Sequence, residues 1–142
     1  MAPHTLVAYA LVMLVHDDSI LMLKRSALSK FAPGVYSFPG GRVEKNETIR
    51  QAVIREVQEE LGLAIDENDL EFVHTFYRKG EHELVACIFK CTKWQGRPLN
   101  KEPEKHEELQ WLDFDNLPEN IIPAHRKVWE CIQQGKMYSE HF

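Results

Sequence analysis

The run from Thr5 to Val15 is apolar at nearly every position. A strand with one wet face would alternate, so this run predicts a strand buried on both faces. Asp17-Asp18 offers a turn and Ile20 to Leu23 a second apolar run, which together predict a hairpin. The first run is too short for a bilayer span, is interrupted by Tyr9, and has neither a cationic leader nor a small-residue cleavage site. The expectation is a soluble, unprocessed chain with no membrane partner.

A length of 142 residues suits a single domain, residues 1–142, with one core. Its 22 acidic against 17 basic residues, a net charge of −5, disfavour duplex nucleic acid, whose affinity comes mainly from Lys and Arg on phosphates. Cys87, Cys91 and Cys131 are odd in number and form no CxxC pair. Reduced thiols in a cytoplasmic protein are therefore expected, in place of a disulfide framework or a four-ligand zinc site. The 7 histidines form no HxH or HxxxH pair, so solvated or core roles are the default, with His106 singled out by its glutamate-rich loop.

Val35 to Phe38 reads as a short extended piece stopped by Pro39-Gly40-Gly41. A helix is predicted from about Thr48 to Leu61, closed by Gly62, with no Pro or Gly inside it. Strands follow at Leu70 to Tyr77 and Glu83 to Thr92, joined across Lys79-Gly80-Glu81. Then come a polar loop from Gln95 to Glu107, a short strand around Leu109 to Phe114, and a final helix near Ala124 to Gln134 capped by Gly135. The order β-β-β-α-β-β-β-α belongs to a single α/β or α+β domain. Val128, Trp129 and Ile132 on the last helix read either as core or as a homodimer contact.

The first helix carries the chemistry. At about 100° per residue, Ile49, Val53, Val57 and Leu61 fall at about 0°, 40°, 80° and 120°, an apolar stripe that must face the core. Glu56, Glu59 and Glu60 fall at about −20°, −80° and 20° on the same wheel, so they border that stripe. Glu56 and Glu60 stand one turn apart and should repel. A divalent cation removes the objection, since Mg²⁺ and Mn²⁺ take hard oxygen ligands. Arg55, four residues before Glu59, is placed to orient it by an ion pair and leave Glu56 and Glu60 to the metal. The alternative is a solvated acidic face.

Gly41, Glu47, Arg55-Glu56-Val57, Glu59-Glu60, Gly62 and Leu63 stand in the pattern G-x5-E-x7-R-E-U-x-E-E-x-G-U, where U is a bulky aliphatic residue. This is the Nudix box, complete from Gly41 to Leu63, and the chain resembles a Nudix hydrolase. The resemblance implies a Nudix-type α/β/α sandwich with a mixed β-sheet, with which the predicted strand order agrees. It implies hydrolysis of a phosphoanhydride bond in a nucleoside diphosphate derivative with Mg²⁺ or Mn²⁺. The Gly41 carbonyl, Glu56, Glu59 and Glu60 would hold the metals, with Glu47 and Arg55 supporting them. Glu56 or Glu59 comes first for the general base, and Glu102, Glu104, Glu107 and Glu108 offer alternatives because some members use a glutamate before the last strand.

Arg25 ends the second strand, where a guanidinium fork could grip a phosphate, and Phe38-Pro39-Gly40-Gly41 leads into the box as in many Nudix enzymes. The segment from Asn100 through Glu104 and Glu107 to Trp111 resembles the E-P-x-K-x-E…W stretch of nucleoside-triphosphate-cleaving relatives of MutT. The favoured substrate is therefore a (deoxy)nucleoside triphosphate, oxidised or otherwise modified in its base, cleaved to monophosphate and pyrophosphate. Tyr9, Phe31, Tyr36 and Trp111 are candidates to stack on a base, or are simply core. Coenzyme A, ADP-ribose, NDP-sugar and dinucleoside-polyphosphate readings have weaker marks. A catalytically silent nucleotide-binding module would be expected to carry a damaged box.

Overall fold

A computed structural model describes residues 1–142. In chain order it contains β1 (Val7–His16), β2 (Ser19–Arg25), β3 (Tyr36–Ser37), β4 (Gly40–Arg42), α1 (Ile49–Leu61), β5 (Glu71–Arg78), β6 (Leu84–Cys91), β7 (His106–Asp113), α2 (Pro123–Gln133) and β8 (Tyr138–His141). The strands run β3-β2-β1-β6-β5-β8, with β4 added to β1 and β7 to β2. The β1–β6 and β5–β8 pairs are parallel and the others antiparallel, which makes the sheet mixed.

The period of two along β1 and β2 divides the interior into two cores. Ala10, Val12 and Leu14 of β1 and Leu21 and Leu23 of β2 pack with Ala52, Val53, Val57 and Leu61 of α1. Leu11, Met13, Val15, Ile20 and Met22 point the other way and pack with Val128 of α2. An unbroken apolar sequence thus satisfies helices on both faces, giving the α/β/α sandwich. Val128 is fully buried, while Trp129 and Ile132 pack against the same core and Trp129 stacks on Phe114 at 4.6 Å. The apolar face of α2 is core.

The helix α1 forms where its sequence punctuates it. Thr48 caps the N-terminus by accepting from the Gln51 N–H, and the Gln51 side chain accepts from the Thr48 N–H in return. Gly62, at φ 70°, closes the other end in the left-handed region. The helix α2 ends at Gln133, with Gln134 as its C-cap in place of the expected Gly135. The three cysteines are free. No helix is long and apolar enough to cross a membrane.

Two strands go beyond the sequence expectation, and one begins earlier. Pro39-Gly40-Gly41 ends β3, but the chain at once returns as β4 against β1, with Leu11 opposite Gly40 and Ala10 opposite Gly41. Gly40, at φ 136°, makes this return sterically feasible, since a Cβ there would lie 2.2 Å from the Ala10 carbonyl oxygen. The strand β7 starts at His106, because its pairing with β2 extends back to Arg25, so Glu107 and Glu108 lie on a strand. The strand β8 is short and lacks an apolar pattern. Fully buried His74 of β5 holds it, with Nδ1 2.9 Å from the Lys136 carbonyl and Nε2 2.9 Å from Ser139 Oγ.

Gly40→Ala should destabilise the protein by at least about 2 kcal/mol, combining a strained φ with a backbone clash. Gly80→Ala supplies the control, because φ is 148° there but nothing lies within 4 Å of the added methyl. Urea unfolding of both variants should show the larger loss at Gly40; equal losses would mean that the close approach of β4 to β1 is not what restricts this position.

Candidate active site

One turn of α1 delivers Glu56, Glu59 and Glu60 to the end of the sheet where β4 begins. Glu60 is only 5% exposed, and its Oε1 accepts from the Gly40 N–H at 2.8 Å. Gly41 lies directly against Glu56, so close that a Cβ would sit 2.5 Å from Glu56 Oε1. The second glycine of the pair is therefore required by the carboxylate. Glu59 is the outermost of the three, with about half of its side chain exposed.

Arg55 ties the group together more broadly than an ion pair to Glu59 alone. Its Nε and Nη2 fork the Glu47 carboxylate at 3.0 and 2.8 Å, while Nη1 reaches Glu56 at 2.9 Å and Glu59 at 3.3 Å. Nη2 also donates to the Arg42 carbonyl at 3.0 Å, which links α1 to β4. Glu47 accepts from the Glu44 N–H as well, and together with the Arg55 guanidinium this holds its carboxyl below the usual carboxylate range.

The fourth carboxylate comes from the other side. Donor atoms of Glu60, Glu102 and His106 lie within 4.8 Å of one another, with His106 Nε2 3.8 Å from Glu60 Oε2. The His106 ring is buried, and its Nδ1 is sealed from solvent without a hydrogen-bond partner. Burial pushes the Glu60 carboxyl up to about 8, with the nearby Glu56 and Glu102 charges adding to the shift and the Gly40 N–H opposing it. Burial also raises Glu56, against the pull of Arg55. A buried carboxylate destabilised by two more carboxylates fits a divalent cation, and the oxygen donors of Glu56, Glu60 and Glu102 are of the hard type that Mg²⁺ or Mn²⁺ takes.

These groups border a cleft of about 1050 Å³ whose lining includes Gly40, Gly41, Glu60 and His106 together with the cationic Arg25, Lys30 and Arg42. Arg25 donates through Nε to the Phe31 carbonyl at 2.8 Å and through Nη2 to Ser29 Oγ at 2.9 Å, and it lies over the Phe31 ring. No carboxylate pairs with it. Phe38 and Tyr9 also line the cleft. Glu104 is exposed and Glu107 pairs with Lys24 at 3.2 Å, and neither lines the cleft. The structure brings Glu102 and His106 into the position where those two were expected. Of the other aromatic candidates, Tyr36 donates to Glu108 and Trp111 stacks on Trp94 at 6.0 Å, both away from the cleft.

One cleft residue escaped the sequence reading. His125, in the first turn of α2, stacks on Phe38 with ring centroids 4.8 Å apart, and its Nδ1 accepts the Phe38 N–H at 3.1 Å. Burial, with Arg25 and His141 nearby, lowers its pKa to about 3, so the ring is neutral. Only the Pro123 helix start hinted at its placement.

A NUDIX domain model matches residues 4–130. The chain belongs to the Nudix hydrolase family. It is 33% identical over 119 residues to the NAD-capped RNA hydrolase NudC of Stutzerimonas stutzeri, a match that covers 84% of this chain but only 40% of that protein. It is 29% identical to the 8-oxo-dGTP diphosphatase of Escherichia coli, covering 80% of this chain and 88% of the relative. It is 33% identical to the oxidized purine nucleoside triphosphate hydrolase of Danio rerio, covering 93% and 83%. Among solved structures, the MutT Nudix hydrolase of Burkholderia pseudomallei superposes with a TM-score of 0.81 at 28% identity, over 89% of this chain and 98% of that one. The likeness in fold covers 89% of this chain.

His125 links this site to acid stability. Its folded-state pKa, about 3, lies below the ordinary 6.5 of histidine, so between those values the unfolded chain binds a proton that the folded one refuses. The contribution is fully present above about pH 6.5 and is lost as pH falls toward 3. Urea midpoints at pH 7, 5 and 4 should fall more steeply for the natural protein than for His125→Gln; parallel curves would contradict the buried neutral ring.

Proposed function

We propose that the protein hydrolyses a phosphoanhydride bond in a nucleoside diphosphate derivative, most favourably a base-modified (deoxy)nucleoside triphosphate, giving the monophosphate and pyrophosphate. The observation that carries this reading is the convergence of Glu56, Glu60 and Glu102 beside Gly40-Gly41, next to a cleft that Arg25, Lys30 and Arg42 also line. Two relatives that match over most of their own length are named for triphosphate substrates, which supports that class over a larger capped nucleic acid.

Glu56, Glu60 and Glu102, with the Gly41 carbonyl and Glu59 at the rim, would hold Mg²⁺ or Mn²⁺. The cation would screen the phosphate charges and acidify a water molecule. The protein's own contribution is positional. Arg55 fixes Glu47 and Glu56, while the Gly40 N–H fixes Glu60, so the carboxylates are held in place without searching rotamers. Glu56 and Glu59 are the first candidates to take the proton from the attacking water, with Glu102 the candidate from the facing segment. Arg25 has its guanidinium already oriented by Ser29 and Phe31, and it is placed to hold a phosphate oxygen.

A panel of nucleoside triphosphates, ADP-ribose, NAD, NDP-sugars, dinucleoside polyphosphates and coenzyme A, assayed with Mg²⁺ and Mn²⁺, tests the reading. Triphosphates should give monophosphate and pyrophosphate, EDTA should stop the reaction, and turnover confined to another class would overturn the substrate choice. Glu56→Gln and Glu60→Gln should each lower kcat by several orders of magnitude with the fold intact by circular dichroism. Near-normal activity in both would refute the carboxylate assignment. Arg25→Ala should raise KM well above its effect on kcat, and an unchanged KM would remove Arg25 from the substrate contact.

A further inference from the structure

The one side-chain nitrogen or oxygen that is sealed from solvent without a hydrogen-bond partner belongs to His106, at Nδ1. The other ring nitrogen, Nε2, stands 3.8 Å from Glu60 Oε2, beyond hydrogen-bond reach. A ring that is only 5% exposed is thus left without a hydrogen bond to Glu60 and without one at Nδ1. Burying polar atoms in that state is costly, and it calls for a partner that the side chains do not supply. The backbone that carries the ring is firmly built. The N–H groups of Lys105 and His106 both donate to the Glu102 carbonyl, at 2.9 and 3.0 Å, and Asn100 Nδ2 donates to the His106 carbonyl at 2.6 Å. This closed turn sets Glu102 and His106 side by side against Glu60.

Each carboxylate beside the ring has one oxygen committed to holding its orientation. Glu60 Oε1 accepts from the Gly40 N–H at 2.8 Å, which leaves Oε2 toward His106. Glu102 Oε2 accepts from Lys105 Nζ at 3.1 Å, which leaves Oε1. One ligand atom from each of the three residues lies within 4.8 Å of the others, and Glu60 and His106 both line the cleft, so an ion can enter from solvent. Two donors on one first-row ion lie about 2.8 to 4.4 Å apart, given bonds of about 2.0 to 2.2 Å, and the 3.8 Å between His106 Nε2 and Glu60 Oε2 falls inside that range. We propose that His106 Nε2 is itself a ligand of the divalent cation, beside Glu60 and Glu102, and that this nitrogen tunes the site toward a transition ion such as Mn²⁺ over Mg²⁺. This rests on the cation reading of the carboxylate cluster. Imidazole suits transition ions, whereas Mg²⁺ prefers oxygen and gives up its water reluctantly, so the ring strengthens the hold on one class and adds little for the other.

Pulsed electron paramagnetic resonance with one equivalent of Mn²⁺ tests the ligand directly and needs no substrate. The natural protein should show a ¹⁴N coupling on the bound ion, replaced by a ¹⁵N coupling when only its histidines carry ¹⁵N. His106→Gln should lose that coupling. By calorimetry its Mn²⁺ affinity should fall about tenfold or more while its Mg²⁺ affinity changes little, the scale on which a ligand or its support acts. Mn²⁺ bound with no histidine nitrogen coupling would overturn the proposal and leave the cation reading standing, and this readout on the natural protein decides even if the variant fails to fold. A coupling that persists in a folded His106→Gln would also overturn it. Equal weakening of both ions would do the same for the selectivity, because a ring that only props Glu102 in place would act on both alike. Binding of neither ion would overturn this proposal and the cation reading together.

Discussion

The seam between β4 and its neighbours admits no side chain, and the rest of the site follows from that. Gly40 presses on the Ala10 carbonyl of β1, and Gly41 presses on the Glu56 carboxylate of α1. The short strand is thereby wedged between the sheet and the helix, and its first N–H reaches Glu60. Without the two glycines α1 would have to stand off from the sheet. Its apolar stripe would lose Val12, Leu21 and Phe89, and the carboxylates would lose the face of the cleft against which they converge.

That arrangement is electrostatically costly. Three box glutamates and Glu102 approach one another at a partly dry site, and only Arg55 and Lys105 offset them, each by direct contact with one or more of the group. Burial of Glu60 beside Val57 and Leu61 disfavours its charged form. Catalytic sites often concentrate unfavourable charge that a ligand or ion then relieves. The Arg55 fork on Glu47 serves the opposite purpose: it is a paired, hydrogen-bonded contact that stabilises the fold while aiming its neighbours.

Much of this was legible in the sequence because local patterns carried it. The helix, its Thr48 and Gly62 ends, the β1–β2 hairpin and the box spacing are all short-range signals, and the helical wheel puts the box glutamates at the border of the apolar stripe. What escaped the reading depends on tertiary contact. The strand β4 exists because β1 accepts it, β8 because buried His74 holds Ser139 and the Lys136 carbonyl, and β7 begins early because β2 is long enough to pair with His106. The choice of Glu102 and His106 over Glu104 and Glu107 is set by how the segment before β7 folds back on Glu60, through the Lys101 N–H on the Glu60 carbonyl and the Asn100 side chain on the His106 carbonyl. Composition and spacing contain no such contact.

The central claim is that the carboxylate cluster is completed by a divalent cation bound to the folded chain alone, and thermal unfolding in a titration of Mg²⁺ or Mn²⁺ tests it most directly. An ion that binds only the native state raises its stability by RT ln(1 + [L]/Kd), so Tm should climb steadily with ion concentration. Glu60→Gln, which replaces one buried carboxyl of the cluster with an amide, should start from an equal or higher Tm in EDTA and gain far less from the ion. A Tm of the natural protein that does not move with either ion, or a variant that gains as much as the natural protein, would contradict the account.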